Sequence, residues 1–355
     1  MALLVFGWLG AGAARARAQP AACDDLDAAS LVSALEAELP ALRASVGPKL
    51  RLGRTRQTLA EYAHATLEPL LALARHGQKA LCLGLDQRFE RVRLAGPERG
   101  HFSAYYHPLV RASRTRHGAY QHPLYRRPDA QHSGLATGEI LAGGLDGQRL
   151  ELGYLDSLAT ALNVHIEGSA TLRFEDGTEL NLTTDGSNGQ PYQNPFKLAR
   201  QDGVIPKDLR APPGKSRTRL FFDAHPDLMR TYWAKDPHFV FFKETPLRGT
   251  GKFGQLVAGR SVAVDAERVP LGAALWMRTE VASSVAEGQV RFTPIARLAL
   301  AQDTGAAIRG VGRVDIFVGS GEQAELAAAM TSRPGELYLL VHRDRGPKRL
   351  ARRKP

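Results

Sequence analysis

The stretch that decides the fold lies near the C-terminus, where residues 298–319 read LALAQDTGAAIRGVGRVDIFVG. Two short apolar runs flank a Gly-rich segment, which predicts a pair of β-strands with a turn between them. In the second run Val314, Ile316 and Val318 share one face of the predicted strand, so Asp315 points to the other face. A carboxylate within an apolar strand costs free energy to desolvate unless it is paired, hydrogen-bonded or protonated. Asp315 is therefore the first candidate for a catalytic acid.

An ordered series of short motifs surrounds this stretch. The stretch itself contains D-x-G-x-A-I-x-G followed by D-x-F-x-G, and an Ala-rich helix and a closing strand are predicted after it. The other motifs are HFSAYYHP at 101–108, ASRTRHGAYQHPLY at 112–125, VHIEGSA at 164–170, DGSNGQPY at 185–192, DPHFVFFK at 236–243, GRSVAVD at 259–265 and VPLG at 269–272. In this order they resemble the lytic murein transglycosylase A (MltA) family, whose C-terminal segment is the 3D, or three-aspartate, domain. Each motif is weak alone, but several in the correct order are specific.

The resemblance implies a mainly β fold with some α-helix. Members of the family have a double-psi β-barrel domain and an inserted second β-barrel domain, with the substrate groove between them. Carried onto this sequence, the first barrel takes residues 23–107 and 248–345, and the inserted domain takes residues 108–247. Residues 346–355 are then a basic tail.

The resemblance also implies a reaction. Family members are lytic transglycosylases, which cleave the β-1,4 bond between N-acetylmuramic acid and N-acetylglucosamine in peptidoglycan and leave a 1,6-anhydro ring. Because no water is consumed, one carboxylate suffices where ordinary glycosidases use two, and no cofactor or metal is required. We assign Asp315 as the general acid and then the general base. Asp303 is interpreted as a supporting or substrate-binding group, with an Asx-turn carboxylate as an equal alternative.

The same resemblance places further substrate-binding residues along the groove. We expect Glu167, Ser169 and Asn188 on the inserted domain to face Tyr106 and Asp315. Glu167 stands where the family has glutamine, which replaces an amide that donates and accepts with an anion that only accepts. From the residues alone, the Gly/Asn clusters of this region read as ordinary tight turns, and the adjacent tyrosines read equally well as core aromatics.

Two other functions compete with catalysis. A non-catalytic peptidoglycan-binding module would use the same scaffold, since a fold does not fix a function. Ala170 and Ala306, in place of family glycines, and Glu167, in place of the family glutamine, leave room for this alternative, whereas the presence of Asp315 favours catalysis. A nucleic-acid binder is suggested only by the formal charge of +11, from 47 Lys and Arg against 36 Asp and Glu. Such an excess also suits an anionic membrane or the carboxylate-rich peptidoglycan, and charge alone does not choose among them. The family resemblance favours glycan strands as the partner, and the export-like N-terminus argues against nucleic acid.

The N-terminal segment predicts export. Residues 1–22 contain an apolar run and two A-x-A triplets before Gln19, which is typical of a cleavable signal. Cys23 follows in a context similar to a lipobox, although Pro20 stands where leucine is usual. Cys82 is the other cysteine, so Cys23 is either lipid-modified or a free or paired thiol. The predicted location is the periplasm, with anchoring to the outer membrane if Cys23 is lipidated.

Helical periodicity is confined to a few segments. The spacing of leucines predicts a helix over 27–39, ended by Pro40. A second helix is predicted over 57–75, kinked or split at Pro69, and a third over 221–235. None of them carries a catalytic motif, and we interpret them as packing elements.

Overall fold

The computed structural model describes residues 23–52, 55–212 and 216–343. The export segment predicted at 1–22 and the basic tail predicted at 346–355 lie outside these residues. Within them the chain is mainly β with some helix, which confirms the predicted fold class. No helix of the described residues is both long enough and apolar enough to cross a bilayer.

Strands and helices follow one another along the described chain. The strands are β1 (Leu50–Leu52), β2 (Thr55–Gln57), β3 (Phe89–Ala95), β4 (His101–His107), β5 (Leu109–Ser113), β6 (His122–Tyr125), β7 (Glu151–Leu155), β8 (Ser169–Phe174), β9 (Glu179–Ser187), β10 (Val240–Glu244), β11 (Thr250–Gly251), β12 (Gly254–Gln255), β13 (Ser261–Val264), β14 (Ala274–Ala286), β15 (Gln289–Asp303), β16 (Arg313–Ser320), β17 (Ser332–Pro334) and β18 (Glu336–His342). The helices are α1 (Ala28–Arg43), α2 (Leu59–Tyr62), α3 (Glu68–Arg75), α4 (Gln78–Arg88), α5 (Thr137–Leu141), α6 (Leu158–Glu167), α7 (Pro195–Gln201), α8 (Arg217–Ala224), α9 (Pro226–Ala234) and α10 (Glu322–Met330), with a π-helical turn at Ala63–Leu67.

Two sheets of different size organise the molecule. The larger has the strand order β17-β4-β16-β13-β15-β14-β18-β3, and the smaller has the order β10-β9-β8-β5-β7-β6. The larger sheet takes β3 and β4 from before residue 108 and its other strands from after residue 260, so the smaller sheet is inserted in it. We call residues 108–247 the insert. Each sheet has its own apolar core, formed with α1, α3 and α4 for the larger sheet and with α6 and α9 for the smaller.

The strand that carries Asp315 has the predicted alternation. Val314 and Ile316 are buried in the core of the larger sheet. Strand β16 lies inside this sheet, next to parallel β4, and Asp315 is the register partner of Ser103. Because register partners on neighbouring strands point to the same face of a sheet, the side chains of Asp315 and Ser103 lie side by side.

Helix α1 runs past the proline that was predicted to end it. It begins after Asp27, whose Oδ1 accepts a hydrogen bond from the backbone N–H of Ser30 at 2.7 Å. It continues through Pro40 to Arg43. A proline removes one intrahelical donor, and the burial of Leu42 in the core of the larger sheet favours the additional turn.

Proline lies at an irregular turn in one of the other two predicted helices and at a break in the other. Pro69 lies in the first turn of α3, directly after the π-helical turn, and Leu67 and Glu68 keep helical φ and ψ, so the helix is irregular there but is not split. The helix predicted over 221–235 is divided into α8 and α9 at His225, where φ is −133° and ψ is 67°. The residue before a proline is disfavoured in the helical region, and Pro226 accounts for this break.

A disulfide joins Cys23 to Cys82, with 5.3 Å between their Cα atoms. The sequence left lipid modification and pairing open for Cys23, and the structure has the pairing. A sulfur in a disulfide has no free valence for an acyl thioether. The possible lipidation of Cys23 is therefore corrected, because the two modifications exclude each other.

The residues that follow the disulfide are held by buried charge. Asp24 and Arg260 are both fully buried and form an ion pair with 2.5 Å between Oδ2 and Nη1. Arg260 also donates to one hydroxyl and two backbone carbonyls. Arg297 makes two hydrogen bonds of 2.7 Å to the carboxylate of Asp25. Arg260, the arginine of the 259–265 motif, therefore has a structural role, because it binds the N-terminal segment through Asp24, Asp27 and Ser30.

Candidate active site

A groove with a volume of about 520 Å³ opens between the larger sheet and the insert. Its lining includes Tyr105, Asp303, Arg313 and Asp315 from the larger sheet and Glu167, Ser169, Tyr192 and His238 from the insert. The structure therefore brings together Asp315, Asp303, Glu167 and Ser169, as the sequence predicts. Two other predicted groove residues, Tyr106 and Asn188, do not line it.

Asp315 is partly buried and receives one hydrogen bond from a neutral group. The hydroxyl of Ser103 donates to Oδ1 of Asp315. Arg313 is directed to Ser103, since its Nη1 donates to the Ser103 hydroxyl at 2.8 Å. Burial raises the pKa of Asp315, while the Ser103 hydrogen bond and the charges of Arg313 and His101 oppose the rise. The balance favours a carboxyl group that keeps its proton to a higher pH than an exposed aspartate.

Asp303 is the second acid of the groove. Its Oδ2 accepts a hydrogen bond of 3.0 Å from the hydroxyl of Tyr105, and its Oδ1 accepts one of 2.8 Å from the backbone N–H of Thr304. Burial raises its pKa to about 6, and the nearby charge of Asp315 adds to the rise, whereas Lys252 opposes it. Asp303 thus both faces the groove and bonds to its own turn.

Strand β13 sets the spacing of the two acids. Ala263 is the register partner of Asp303 on parallel β15 and of Asp315 on antiparallel β16. Their backbones are therefore two strand spacings apart, about 10 Å. Residues so paired point to one face of a sheet, and both carboxyl groups consequently face the groove.

The two adjacent tyrosines take opposite faces of β4, but with the roles reversed from the prediction. Tyr105 lines the groove and is the residue bonded to Asp303. The side chain of Tyr106 points away, where its hydroxyl accepts a hydrogen bond of 3.2 Å from Nδ2 of Asn163. The assignment of Tyr106 to the groove is therefore corrected to Tyr105. Alternation requires that one tyrosine faces the groove, and the pairing of Ser103 with Asp315 decides which one.

Glu167 ends α6 and lies on the insert side of the groove. Its Oε2 accepts a hydrogen bond of 3.2 Å from the backbone N–H of Tyr106. Burial raises its pKa to about 8, and the charges of Asp315 and Glu325 add to the rise, whereas Arg219 and the Tyr106 hydrogen bond oppose it. Glu167 is mostly protonated at neutral pH and then carries a donor, as an amide would.

Ser169 lines the groove, but its hydroxyl is committed to a buried histidine. The distance from its Oγ to Nδ1 of His107 is 2.9 Å, and the backbone N–H of Gly249 donates to the same nitrogen at 3.1 Å. The proton of neutral His107 is consequently on Nε2, which lies 2.9 Å from the Thr171 hydroxyl. Burial lowers the pKa of His107 to about 4. His107 joins β4, β8 and the chain returning from the insert.

Asn188 packs inside the insert. Its Nδ2 donates to the carbonyls of Leu135 and Pro237 at 2.8 Å and 2.7 Å. Its Oδ1 accepts from the backbone N–H groups of Phe239 and Gln190 at 2.9 Å and 3.3 Å. All four hydrogen-bonding positions of the amide are used. The prediction that Asn188 contacts substrate is therefore corrected, because it has no free donor or acceptor.

Two groove residues, Arg313 and Tyr105, and the serine that bonds to Asp315, Ser103, were not assigned from the sequence. Arg313 could have been found, because it shares a strand face with Asp315 at a spacing of two. Ser103 and Tyr105 become apparent only when β4 is aligned with β16, and these strands are about 200 residues apart in the chain.

Among the described residues, no group of three or more His, Cys, Asp or Glu side chains is arranged to hold a metal ion.

Two family models match the chain. The model described as the MltA specific insert domain matches residues 101–243. The model described as the 3D domain matches residues 260–341. The first covers most of the insert together with β4, and the second covers the strands that carry Asp303 and Asp315.

Curated and solved proteins show the same similarity. Membrane-bound lytic murein transglycosylase A of Escherichia coli strain K12 is 30% identical over 244 residues, which are 67% of this chain and 65% of that protein. The match thus spans slightly less than two thirds of the relative's length. The crystal structure of a membrane-bound lytic murein transglycosylase from Agrobacterium tumefaciens has a TM-score of 0.72 and 26% identity, covering 90% of this chain and 94% of that chain. E. coli MltA with bound chitohexaose has a TM-score of 0.69 and 24% identity, covering 88% and 90%.

Proposed function

The chain belongs to the MltA family, and from this premise we propose that it is a peptidoglycan lytic transglycosylase. The bond cleaved is the β-1,4 bond between N-acetylmuramic acid and N-acetylglucosamine, and the product carries a 1,6-anhydro ring. The observation that carries the proposal is the setting of Asp315, which lines the groove, has a raised pKa and receives a hydrogen bond from a neutral hydroxyl. Such a carboxyl group can hold the proton that the leaving oxygen needs.

In the first step Asp315 donates its proton to the glycosidic oxygen. The bond between that oxygen and C1 of N-acetylmuramic acid breaks, and N-acetylglucosamine leaves with a free hydroxyl. Positive charge develops at C1, as in other glycoside cleavages. The Ser103 hydroxyl bonds to Oδ1, which leaves Oδ2 of Asp315 to carry the proton.

In the second step the ionised Asp315 acts as a base. The C6 hydroxyl of N-acetylmuramic acid attacks C1 and closes the anhydro ring, and its proton returns to Asp315. The acid is regenerated without water, and no second carboxylate is needed as nucleophile. Arg313, held to the Ser103 hydroxyl at 2.8 Å, stabilises the carboxylate between the two steps.

Asp303 is proposed as a supporting residue. Its hydrogen bond with Tyr105 fixes the ring of that tyrosine in the groove, where an aromatic face can stack on a sugar. The remaining acceptor capacity of Asp303 is available for sugar hydroxyls. Its backbone, about 10 Å from that of Asp315, suits an adjacent position on the glycan.

The proposed substrate is a peptidoglycan glycan strand. The open groove of about 520 Å³ presents carboxyl, hydroxyl, guanidinium and aromatic groups, a mixture that suits a polar polymer with ring faces. The net charge of +11 favours a polyanionic cell wall. No observation favours nucleic acid or a non-catalytic module over this substrate and reaction.

The proposed location is the periplasm, with Cys23 and Cys82 oxidised. Disulfides persist in oxidising compartments, and the pairing of these two cysteines fits an exported protein. The test is labelling of unreduced, denatured protein with a thiol reagent. We expect no label and a mass without acyl groups. One labelled thiol at Cys82, with the added mass of lipid at Cys23, would instead establish an anchor at the outer membrane.

The reaction is tested by digesting purified peptidoglycan and treating the products with borohydride. A 1,6-anhydro end has no free aldehyde and resists reduction. We expect muropeptides that borohydride leaves unchanged. Products that are all reduced would assign hydrolysis, and an absence of soluble products, with binding retained, would assign the non-catalytic module.

A further inference from the structure

The groove continues past Glu167 into a second space. This space has a volume of about 220 Å³ and lies between α6 and α8 of the insert and α10, which packs on the larger sheet. We call it the side channel. Ile166, Glu167 and Asn194 line both the groove and the side channel. Because these residues are shared, the two spaces are continuous, and Glu167 lies where they meet.

One face of α6 lines the side channel. Ala159, Asn163 and Glu167 lie at intervals of four residues, so their side chains share a face of the helix. Glu167 follows Ala159 by eight residues, a rise of about 12 Å along the helix axis. Helix α10 adds to the lining Glu325, Ala328 and Ala329. The small alanine side chains on the two helices leave room for a chain to pass between them.

The described residues of the side channel carry no net charge at neutral pH. Arg219 and Glu325, which both line it, form an ion pair at 3.1 Å. Burial raises the pKa of Glu167 to about 8, so this carboxyl group is mostly protonated. A neutral space suits a neutral part of a ligand, because a charged group would lose its hydration there without gaining a partner of opposite sign.

Two amides of the side channel each keep a free hydrogen-bonding group. Asn163 donates through Nδ2 to the hydroxyl of Tyr106, and Asn194 accepts through Oδ1 from the backbone N–H of Lys197. Oδ1 of Asn163 and Nδ2 of Asn194 make no hydrogen bond with other described residues. The first is an acceptor and the second is a donor, which together match the N–H and C=O groups of a peptide backbone.

The side channel is also continuous with a third space. This space has a volume of about 840 Å³, and Ser216 and Ala329 line both it and the side channel. Three arginines of the insert line it, Arg200, Arg210 and Arg217. We call it the arginine cleft. The groove, the side channel and the arginine cleft therefore form one continuous route.

The arginine cleft is positively charged. Its three arginines are exposed, and none of them forms an ion pair with another described residue. Among the described residues that line the cleft, Asp208 is the one acidic residue, so three guanidinium groups against one carboxylate leave a net charge of +2. Lys207, the exposed neighbour of Asp208 in the chain, adds a further positive charge. Such a balance suits a ligand with more than one carboxylate.

Three other acidic residues lie close in sequence to these linings, and each has its own cationic partner. The pairs are Glu287 with Arg291 at 3.9 Å, Glu325 with Arg219 at 3.1 Å and Asp202 with Lys235 at 2.9 Å. None of these carboxylates is left to offset the arginines of the cleft. Arg200 and Arg217 themselves donate only to neutral groups, the hydroxyl of Thr218 at 3.1 Å and the carbonyl of Leu209 at 3.3 Å.

We propose that the side channel and the arginine cleft bind the peptide stem of peptidoglycan. The neutral first part of the stem passes through the side channel, and its carboxylates pair with the arginines of the cleft. This inference rests on the proposed function, because the stem is attached to the N-acetylmuramic acid unit that occupies the groove.

The length of the stem and the order of its charges fit this route. An extended peptide covers about 3.3 Å per residue, so about four residues span the 12 Å face of α6. The amide that joins the stem to the sugar is uncharged, and the carboxylates follow further along the stem. From Glu167 outward, the protein presents the complementary order, a neutral channel and then a basic cleft.

The inference is tested by comparing glycan strands that carry their stems with strands stripped of peptide. Both are labelled with a fluorophore and titrated with full-chain Asp315→Asn, in which cleavage does not interfere, and binding is followed by anisotropy. We expect stem-bearing strands to bind about tenfold more tightly, because exposed ion pairs are individually weak and three of them act together. The preference should shrink as salt is added, since salt screens exposed charges.

Two variants in the Asp315→Asn background locate the stem. Replacing both Arg210 and Arg217 with glutamine should lower affinity for stem-bearing strands about fivefold, because two of the three pairs are lost. Ala329→Phe should also reduce the preference, because the ring narrows the junction of the side channel and the cleft. Ala329 is exposed, so the larger side chain does not disturb a core.

Arg230→Gln is the matched control. Arg230 is an exposed insert arginine that, like Arg217, donates to a backbone carbonyl and has no ion pair with another described residue. It lines neither the side channel nor the arginine cleft. We expect Arg230→Gln to keep the full preference for stem-bearing strands.

Four results would overturn the inference. They are equal affinity for the two kinds of strand, a preference that persists in the double arginine variant, a preference that Ala329→Phe leaves unchanged, and an equal loss in Arg230→Gln. An anionic membrane is the other partner for exposed arginines. Binding to phosphatidylglycerol vesicles that the double arginine variant loses, without any preference for stems, would assign the cleft to the membrane instead.

The proposed reaction and the stem site fail separately. A failed murein digestion with an intact preference for stem-bearing strands would reject the reaction and keep the stem site. Anhydro products without such a preference would keep the reaction and reject the stem site.

Discussion

The two walls of the groove are built in different ways. On the larger sheet, which we call the sheet wall, Asp315 and Asp303 each accept a hydrogen bond from a hydroxyl on strand β4, those of Ser103 and Tyr105. On the insert, which we call the insert wall, Glu167 accepts a bond only from a backbone N–H. The hydroxyl of Ser169 is committed to His107.

This difference indicates that the two walls of the groove have different roles. Strand register fixes the acids of the sheet wall, since Ala263 pairs with both and a slip of one residue would turn both away from the groove. Glu167 is placed by the last turn of a helix, before Gly168, which adopts a φ of 71°. A helix end can shift more easily than an inner strand. We therefore expect chemistry on the sheet wall and substrate positioning on the insert wall.

The largest effect is expected for Asp315→Asn. An amide cannot donate the proton, and general acid–base catalysis contributes about 10²- to 10⁴-fold. We predict a loss of turnover of that size with unchanged affinity for peptidoglycan and an unchanged melting temperature. Release of muropeptides and cosedimentation with insoluble murein measure the two quantities. Turnover close to wild type would show that another residue is the general acid, and Asp303 is the next candidate.

A smaller effect is expected at the supporting pair. Asp303→Asn and Tyr105→Phe should each lower kcat/KM about ten- to a hundredfold, since a hydrogen bond to a charged group contributes about 1.5–3 kcal/mol. The double variant should be little worse than either single one, because each substitution removes the same charge-assisted hydrogen bond. Tyr106→Phe is the matched control on the opposite strand face, and it should stay within about threefold of wild type. An equal loss of kcat/KM in Tyr106→Phe would show that Tyr106, and not only Tyr105, acts in the groove.

The smallest effect, and one that depends on pH, is expected for Glu167→Gln. The folded-state pKa of Glu167, about 8, lies above that of an exposed glutamate, so the folded state holds the proton more tightly. Stability is therefore lost as pH rises from the unfolded pKa towards 8, and the glutamine variant avoids this loss. At pH 6 the two proteins should bind murein alike, whereas at pH 9 the variant should bind more tightly and melt at a higher temperature. Parallel pH profiles of the two proteins would make Glu167 a passive residue.

The sequence predicts best what depends on local alternation. The position of Asp315 within β16 follows from the spacing of Val314 and Ile316 alone. Local spacing does not decide whether Tyr105 or Tyr106 faces the groove, because this depends on how β4 pairs with a strand about 200 residues away in the chain. The alternation of side chains along a strand shows that one of these two tyrosines faces the groove, but it does not show which one.

Motif resemblance fails for a different reason. Asn188 belongs to a motif that resembles the family, but its amide is used by four backbone groups of the insert. A motif records which residue stands at a position and not what its side chain contacts. The same holds for Cys23, whose lipobox-like context does not disclose that Cys82 lies within bonding distance.

The most direct test of the central claim is whether an oxygen atom from water enters the product at C1 of N-acetylmuramic acid. Peptidoglycan is digested in water enriched in oxygen-18, and the muropeptides are weighed by mass spectrometry. If Asp315 alone drives ring closure by the C6 hydroxyl, the products carry no label and are one water lighter than hydrolysis products. Label at the reducing end of N-acetylmuramic acid would show that water attacks C1, and Asp303 would then have to be considered as its base.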